Sequence, residues 1–179
     1  MAHSKDKTQS IKTSPLQFAV ITLSDRCSRG DREDLSGPLI VKTMTKHLTA
    51  HCTDQILIPD NPEELTCHLV TLSDDQACDI ILTTGGTGLA PTDITPETTK
   101  AIFDREIPGI AEAIRHKGLT ITPHSMLSRG VAGQRKRTLI INLSGSPKAV
   151  AEQLEVIMPI IPHAIETIRG DTIDCGRSK

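Results

Sequence analysis

The chain has 179 residues, 37% of them hydrophobic, which suits one α/β domain with a sizeable core. A formal net charge of -2 gives no overall basic field, and two Phe with no Tyr or Trp leave no base-stacking platform, so nucleic acid is not an expected partner. No apolar run reaches the length of a membrane span, and five Cys without a C-x-x-C pair read as free thiols of a reducing cytoplasm, not as a zinc or disulfide framework.

In chain order, residues 1–14 are polar, lack the apolar segment of a signal peptide and read as a disordered tail. Leu16 to Leu23 (LQFAVITL) is a short apolar run that suits a buried strand. Ile40, Met44 and Leu48 then recur at helical spacing, and Gln55 to Ile58 is a second, short strand. Asn61-Pro62-Glu63-Glu64 has the form of a cap, a first-turn proline and acidic residues, and Leu65, Leu69 and Leu72 supply the apolar stripe of the helix behind it. Ile80 to Thr84 is a third strand. Thr95-Pro96-Glu97 again has the form of a cap, with a helix expected through Arg105 and another after Pro108 that carries Ile110 and Ile114. Leu119 to Val131 reads as irregular backbone, and Thr138 to Leu143 as a strand. Ser146-Pro147 opens a helical region with the stripe Val150, Leu154, Ile157, Ile161, Ile165 and Ile168, which Pro159 and Pro162 must bend or split before Gly170 ends it. The alternation implies a three-layer α/β/α sandwich with a mostly parallel central sheet, one domain over 15–170, and a C-terminal tail over 171–179.

Ligands of open α/β sheets bind beyond the carboxyl ends of the strands. Four segments fall there: Ser24-Asp25, Pro59-Asp60, Gly85 to Asp93, and Ser144 to Lys148. Gly85-Gly86-Thr87-Gly88 offers bare amides and hydroxyls that suit a phosphate, or it is a tight turn without a ligand. It is neither a Walker A loop nor a dinucleotide fingerprint. Ser144-Gly145-Ser146-Pro147-Lys148 is either an anion site at a helix N-terminus or an ordinary cap. Asp60 and Asp93 each suit a turn or a helix start. Together beside a glycine turn they also suit a hydrated Mg²⁺, with Asp25 as a third candidate. From the residues alone, the function is that of a cytoplasmic α/β protein that takes a phosphorylated ligand.

The stretches AVITLSDRCSRG, LIPDNPEE, DIILTTGGTGLAPTDITPETTKAIFDREIPGIAEAIR, MLSRGVAGQRKRTLIINLSGSPKAV and PIIPHAIETIRG together resemble the MogA/MoaB family of molybdenum cofactor biosynthesis proteins, and within it the molybdopterin adenylyltransferases. The likeness runs in order from Phe18 to Gly170. It implies a homotrimer that transfers AMP from ATP to the phosphate of molybdopterin with release of pyrophosphate, using Mg²⁺, with a downstream molybdenum-insertion protein as a further partner. By position it assigns Asp60 and Asp93 as the catalytic, metal-holding acids. It assigns Gly85, Gly86, Thr87 and Gly88 as the ligand loop, Ser24 and Asp25 as the pair near the nucleotide, and Ser128, Ser144, Gly145, Ser146 and Pro147 as parts of the pterin and phosphate pocket. Two positions depart from the family pattern: Thr92 stands where a basic residue usually precedes the second Asp, and Ser144 where a proline usually stiffens the last turn. Alternatives within the same resemblance are a pterin-binding MoaB-like protein with little transferase activity and a non-catalytic trimeric scaffold. A general nucleotide-binding regulator lies outside it.

Overall fold

The computed structural model describes residues 15–76 and 78–170. The expected tails over 1–14 and 171–179 lie outside the described residues. A six-stranded sheet, ordered β2-β1-β3-β6-β5-β4, forms the middle layer. Its strands are β1 (Leu16–Leu23), β2 (Ala50–Ile58), β3 (Ile80–Thr84), β4 (Arg105–Glu106), β5 (Ala132–Arg135) and β6 (Thr138–Leu143). Strands β2, β1, β3 and β6 run parallel, and β5 pairs antiparallel with both β6 and β4.

Strict alternation along the strands divides the core in two. Phe18, Val20, Ile80, Leu82, Leu139 and Ile141 face one side. They pack there with α2 (Ser36–His47), α5 (Pro108–Leu119), α6 (Pro147–Ile157) and α7 (Ile161–Arg169). Ala19, Ile21, Ile81 and Ile140 face the other side, against Leu65, Leu69 and Leu72 of α3 (Pro62–Asp74). Ile102 and Phe103, just after α4 (Thr95–Ala101), close that layer. A four-residue α1 (Asp25–Ser28) follows β1. The three-layer expectation is met.

Several elements differ from the sequence reading. Strand β2 begins five residues earlier than Gln55, because residues 50–54 alternate small side chains such as Ala50 and Cys52 toward the core with polar ones toward water, as an edge strand can. Helix α4 stops at Ala101 instead of Arg105. Ile102 and Phe103 turn into the core, and the next residues form β4 instead of another helical turn. The Phe103 ring occupies the space that a β-carbon on Gly133 would need, so this glycine lets the ring lie on β5. Thr95 is not the cap of α4. It sits in the first turn, and its Oγ1 donates to the Gly85 carbonyl at 2.9 Å. Other details follow the sequence closely. Asn61 Oδ1 accepts from the Glu63 and Glu64 amides, the prolines split α6 from α7, and Gly170 ends α7 at φ +81°.

The end of α3 is tied to the β5–β6 hairpin. Arg135 donates to both oxygens of Asp74 at 3.0 and 2.7 Å and to the Ile102 carbonyl, and Lys136 Nζ lies 3.1 Å from Asp74 Oδ2. Hydrogen bonds from Arg135, and then from Lys136, hold the Asp74 carboxyl below its ordinary range against partial burial. A carboxyl lowered by folding stabilises the fold above its unfolded pKa, and that contribution disappears as pH falls through the folded value. Asp74→Asn should therefore lower the melting temperature near pH 7. The gap to the wild type should close below about pH 4, measured by circular dichroism across pH.

Candidate active site

The chain passes from β1 through α2 on one face to β2, then through α3 on the other face to β3. The carboxyl ends of β1 and β3 are thus a switch point, where the loops part to opposite faces and leave a crevice. That crevice is a cleft of about 340 Å³. Ser24, Asp60, Gly85, Gly86, Asp93, Gly145, Ser146 and Pro147, all singled out by sequence, line it.

Its walls are built by side-chain to backbone hydrogen bonds. The Asp25 amide donates to Asp60 Oδ2 and the Asp60 amide to Asp25 Oδ1, each at 3.1 Å, which clips the loop after β1 to the loop after β2. Ser24 Oγ accepts from the Cys27 amide and so caps α1. Gly85 has φ +102° and Gly86 φ +61°, so both need the left-handed backbone that glycine allows. Asp93 Oδ2 accepts from the Ala90 amide at 2.8 Å and closes a turn on itself. Asp60 and Asp93 thus each give Oδ2 to a backbone amide, with Oδ1 as the second oxygen.

Glu33, Asp34, Asp60 and Asp93 line the cleft with Arg32, so acids outnumber bases. Burial, followed by the nearby charges of Asp25 and Asp93, raises the Asp60 carboxyl above its ordinary range, although the Asp25 amide opposes the shift. Opposite this acidic side lies the start of α6. Ser146 caps it by position but makes no capping hydrogen bond with its side chain, and Pro147 fills the first turn. Ser146 and Pro147 thus bring the N-terminal end of α6 to the cleft, with the Ser146 hydroxyl not engaged in a cap.

A second pocket of about 230 Å³ adjoins the first and shares Ser146 with it. Ser128 and Ser144 line this pocket, beside Lys117, His124 and Glu152. Ser144 stands where a rigid proline was expected, and Gln153 holds it instead. The Ser144 amide donates to Gln153 Oε1 at 2.9 Å, and Gln153 Nε2 donates to Ser144 Oγ at 2.8 Å. Thr87 and Gly88 line neither pocket; their carbonyls accept from the Arg129 amide and from Arg129 Nε.

Sequence reasoning missed several supports. Thr22 Oγ1 donates to Asp34 Oδ2 at 2.7 Å, while Asp34 Oδ1 accepts the Ser36 and Gly37 amides at 3.0 Å and so anchors the start of α2. The pattern Asp34-x-Ser36-Gly37 carried that signal as a helix start. Asn142 Nδ2 donates to Thr83 and Thr99, and Asn142 Oδ1 accepts the Val131 amide, a buried network beneath the glycine turn. A lone Asn in an apolar strand gives no hint of its partners.

Fold and site together define a three-layer α/β protein with a polar cleft at the switch point of its sheet. The family model for a probable molybdopterin binding domain matches residues 19–163. The chain belongs to this molybdenum cofactor biosynthesis family, that of MogA and MoaB. It is 38% identical over 157 residues to the molybdopterin adenylyltransferase of Helicobacter pylori strain J99, covering 87% of this chain and 89% of that one. Gephyrin of Dictyostelium discoideum is 42% identical over 160 residues, which span 84% of this chain and 22% of gephyrin. Among solved structures, the molybdopterin biosynthesis enzyme MoaB of Thermus thermophilus superposes with a TM-score of 0.82 at 44% identity, covering 87% of this chain and 97% of that one.

Proposed function

We propose that the protein is a molybdopterin adenylyltransferase. The observation that carries this reading is the junction at Ser146 of two pockets of different character, one acidic with a glycine turn and one lined by serines with Lys117, His124 and Glu152. Two substrates seated side by side need such a junction.

The triphosphate of ATP lies along the first cleft. The Gly86 amide and the amides at the start of α6, with the Ser146 hydroxyl, donate to its oxygens. In the second pocket, Glu152 accepts from the ring N–H and amino group of a pyrimidinone edge, and Lys117 donates to its carbonyl. The pterin phosphate then projects past Ser146 toward the α-phosphorus. Its oxygen forms the new P–O bond as the bond to pyrophosphate breaks. A phosphate monoester is largely ionised at neutral pH, so no side chain is needed to remove a proton. The main barrier is repulsion between two anions, and Asp60 and Asp93 add to it unless a cation intervenes.

The donor set fits Mg²⁺. Among the described residues no trio of His, Cys, Asp or Glu forms a closed cage, and Mg²⁺ needs only one or two carboxylates together with substrate phosphates and water. When bound, Mg²⁺ supplies charge neutralisation at the triphosphate. Asp60 and Asp93 would hold it through their Oδ1 atoms, and it would in turn relieve the crowding of negative charge that raises the Asp60 carboxyl. The reaction places the protein in the cytoplasm, where ATP is available; among the described residues no helix is long and apolar enough to cross a membrane. The family resemblance makes a homotrimer the expected assembly, and Leu119, Ile121, Met126 and Leu127, 45%, 44%, 65% and 51% exposed, offer apolar surface for a subunit contact.

The test is to mix the purified protein with molybdopterin, Mg-ATP and pyrophosphatase. The expected product is adenylylated molybdopterin, formed in step with ATP loss and detected by mass spectrometry. ATP left intact while molybdopterin binds would instead define a pterin-binding member without transferase activity.

A further inference from the structure

Arg129 links the two pockets, yet it lines neither. Its Nε donates to the Gly88 carbonyl at 2.6 Å and its Nη2 to the Asp93 carbonyl at 2.6 Å. Nη1 pairs with Glu97 in the first turn of α4, and the Arg129 amide donates to the Thr87 carbonyl at 3.0 Å. One side chain thus grips both ends of the turn that presents the Asp93 carboxylate, and fastens that turn to α4. A guanidinium has a planar fork of donors that can reach three acceptors at once, and a lysine cannot reproduce it.

The base of this side chain is itself fixed. Gly130 O accepts from Arg115 Nη1 at 2.9 Å, and the Val131 amide donates to Asn142 Oδ1. Asn142 in turn bonds Thr83 of β3, the strand that leads into the glycine turn, and Thr99 of α4. The residue before Arg129 is Ser128, which lines the second pocket. The same short segment therefore touches the second pocket with one residue and sets the backbone of the acid in the first with the next.

We propose that Arg129 is a positioning residue that holds the Asp93 turn in its cation-binding geometry. The segment just after Asp93 is seated by Ile94, packed against the core, and by Thr95, which donates to the Gly85 and Gly86 carbonyls, so the part that depends on Arg129 is the stretch from Gly88 to Asp93. Asp93 Oδ2 and the Ala90 amide close it internally, the Asp93 amide bonds the Ala90 carbonyl, and Leu89 at its tip is 64% exposed. Without Arg129 these bonds remain, but the Gly88 and Asp93 carbonyls are no longer held to each other and to Glu97 of α4. The Asp93 carboxylate then samples positions that do not match Asp60.

The proposal rests on the transferase reading only in its kinetic arm. The direct arm is amide hydrogen exchange on the apo protein, comparing wild type, Arg129→Ala and Arg129→Lys, with Arg135→Ala as a control that breaks an ion pair away from the cleft. Exchange over residues 86–95 should rise about tenfold or more in both Arg129 variants and stay at the wild-type level in Arg135→Ala. Mn²⁺ binding in the presence of a non-hydrolysable ATP analogue, followed by electron paramagnetic resonance, should weaken in the Arg129 variants alone. In the kinetic arm, kcat should fall about 10- to 100-fold, with a higher Mg²⁺ concentration needed for half-activation. Unchanged exchange over 86–95 in a folded Arg129→Lys protein would overturn the proposal, as would a loss of rate with unchanged Mg²⁺ and Mn²⁺ dependence. If the wild type itself transfers no AMP, the transferase reading fails, and the exchange and Mn²⁺ arms still decide the role of Arg129.

Discussion

Asp60→Asn is expected to lower AMP transfer by about two orders of magnitude or more while the melting temperature stays at or above that of the wild type. The two effects have the same origin. Burial and the charges of Asp25 and Asp93 raise the Asp60 carboxyl above its ordinary value. A carboxyl raised by folding favours the fold most fully below its unfolded pKa, and this advantage is lost as pH rises through the folded value. At neutral pH the ionised group therefore opposes the fold. Asparagine keeps an oxygen for the Asp25 amide, now 3.1 Å from Oδ2, and removes the charge. Added Mg²⁺ with an ATP analogue should raise the melting temperature of the wild type and leave the variant nearly unmoved. A variant that melts several degrees lower would make Asp60 a structural residue instead.

Gly85→Ala is expected to act on the fold itself, lowering stability by about 2–4 kcal/mol and the melting temperature by roughly 5–15 °C. Gly85 has φ +102°, and a β-carbon there would run into the carbonyl oxygen of Leu23 on the neighbouring strand. That carbonyl belongs to a packed strand and cannot step aside. Gly88→Ala offers the contrast. Gly88 needs no left-handed backbone, and its β-carbon would stand 2.8 Å from Asp93 Oδ2, a carboxylate oxygen that can shift by giving up its bond from the Ala90 amide. This variant should fold normally and lose transfer activity because the carboxylate is pushed aside. Thermal melts and the adenylyl transfer assay, run on both proteins, separate the two cases.

The apolar strands, the capped start of α3 and the proline break between α6 and α7 were legible because each rests on local chemistry: a run of β-branched residues, an Asn-Pro-Glu start, a ring without an N–H. The convergence of loops was legible for a related reason, since strand order in a doubly wound sheet brings the carboxyl ends together. Strands β4 and β5 were not legible. Arg105–Glu106 and Ala132–Arg135 are short and weakly apolar, and they become strands through pairing, β5 with β6 and β4 with β5, which no local pattern announces. The role of Thr95 was misread for the same reason: a threonine before a proline has the form of a cap until the Gly85 carbonyl, ten residues away, claims its hydroxyl. Arg129 and Gln153 show the limit most clearly. Their partners lie 32 to 41 residues away for Arg129 and 9 for Gln153, and no spacing rule joins an arginine to distant carbonyl groups.

The central claim is that Asp60 and Asp93 serve one divalent cation shared with the nucleotide. Crystals grown with Mn²⁺ and a non-hydrolysable ATP analogue test it through the anomalous signal of manganese. One strong peak within about 2.5 Å of an oxygen from each carboxylate and from the triphosphate is the predicted result. A peak bound to the triphosphate alone, with both carboxylates turned away from it, would contradict the account.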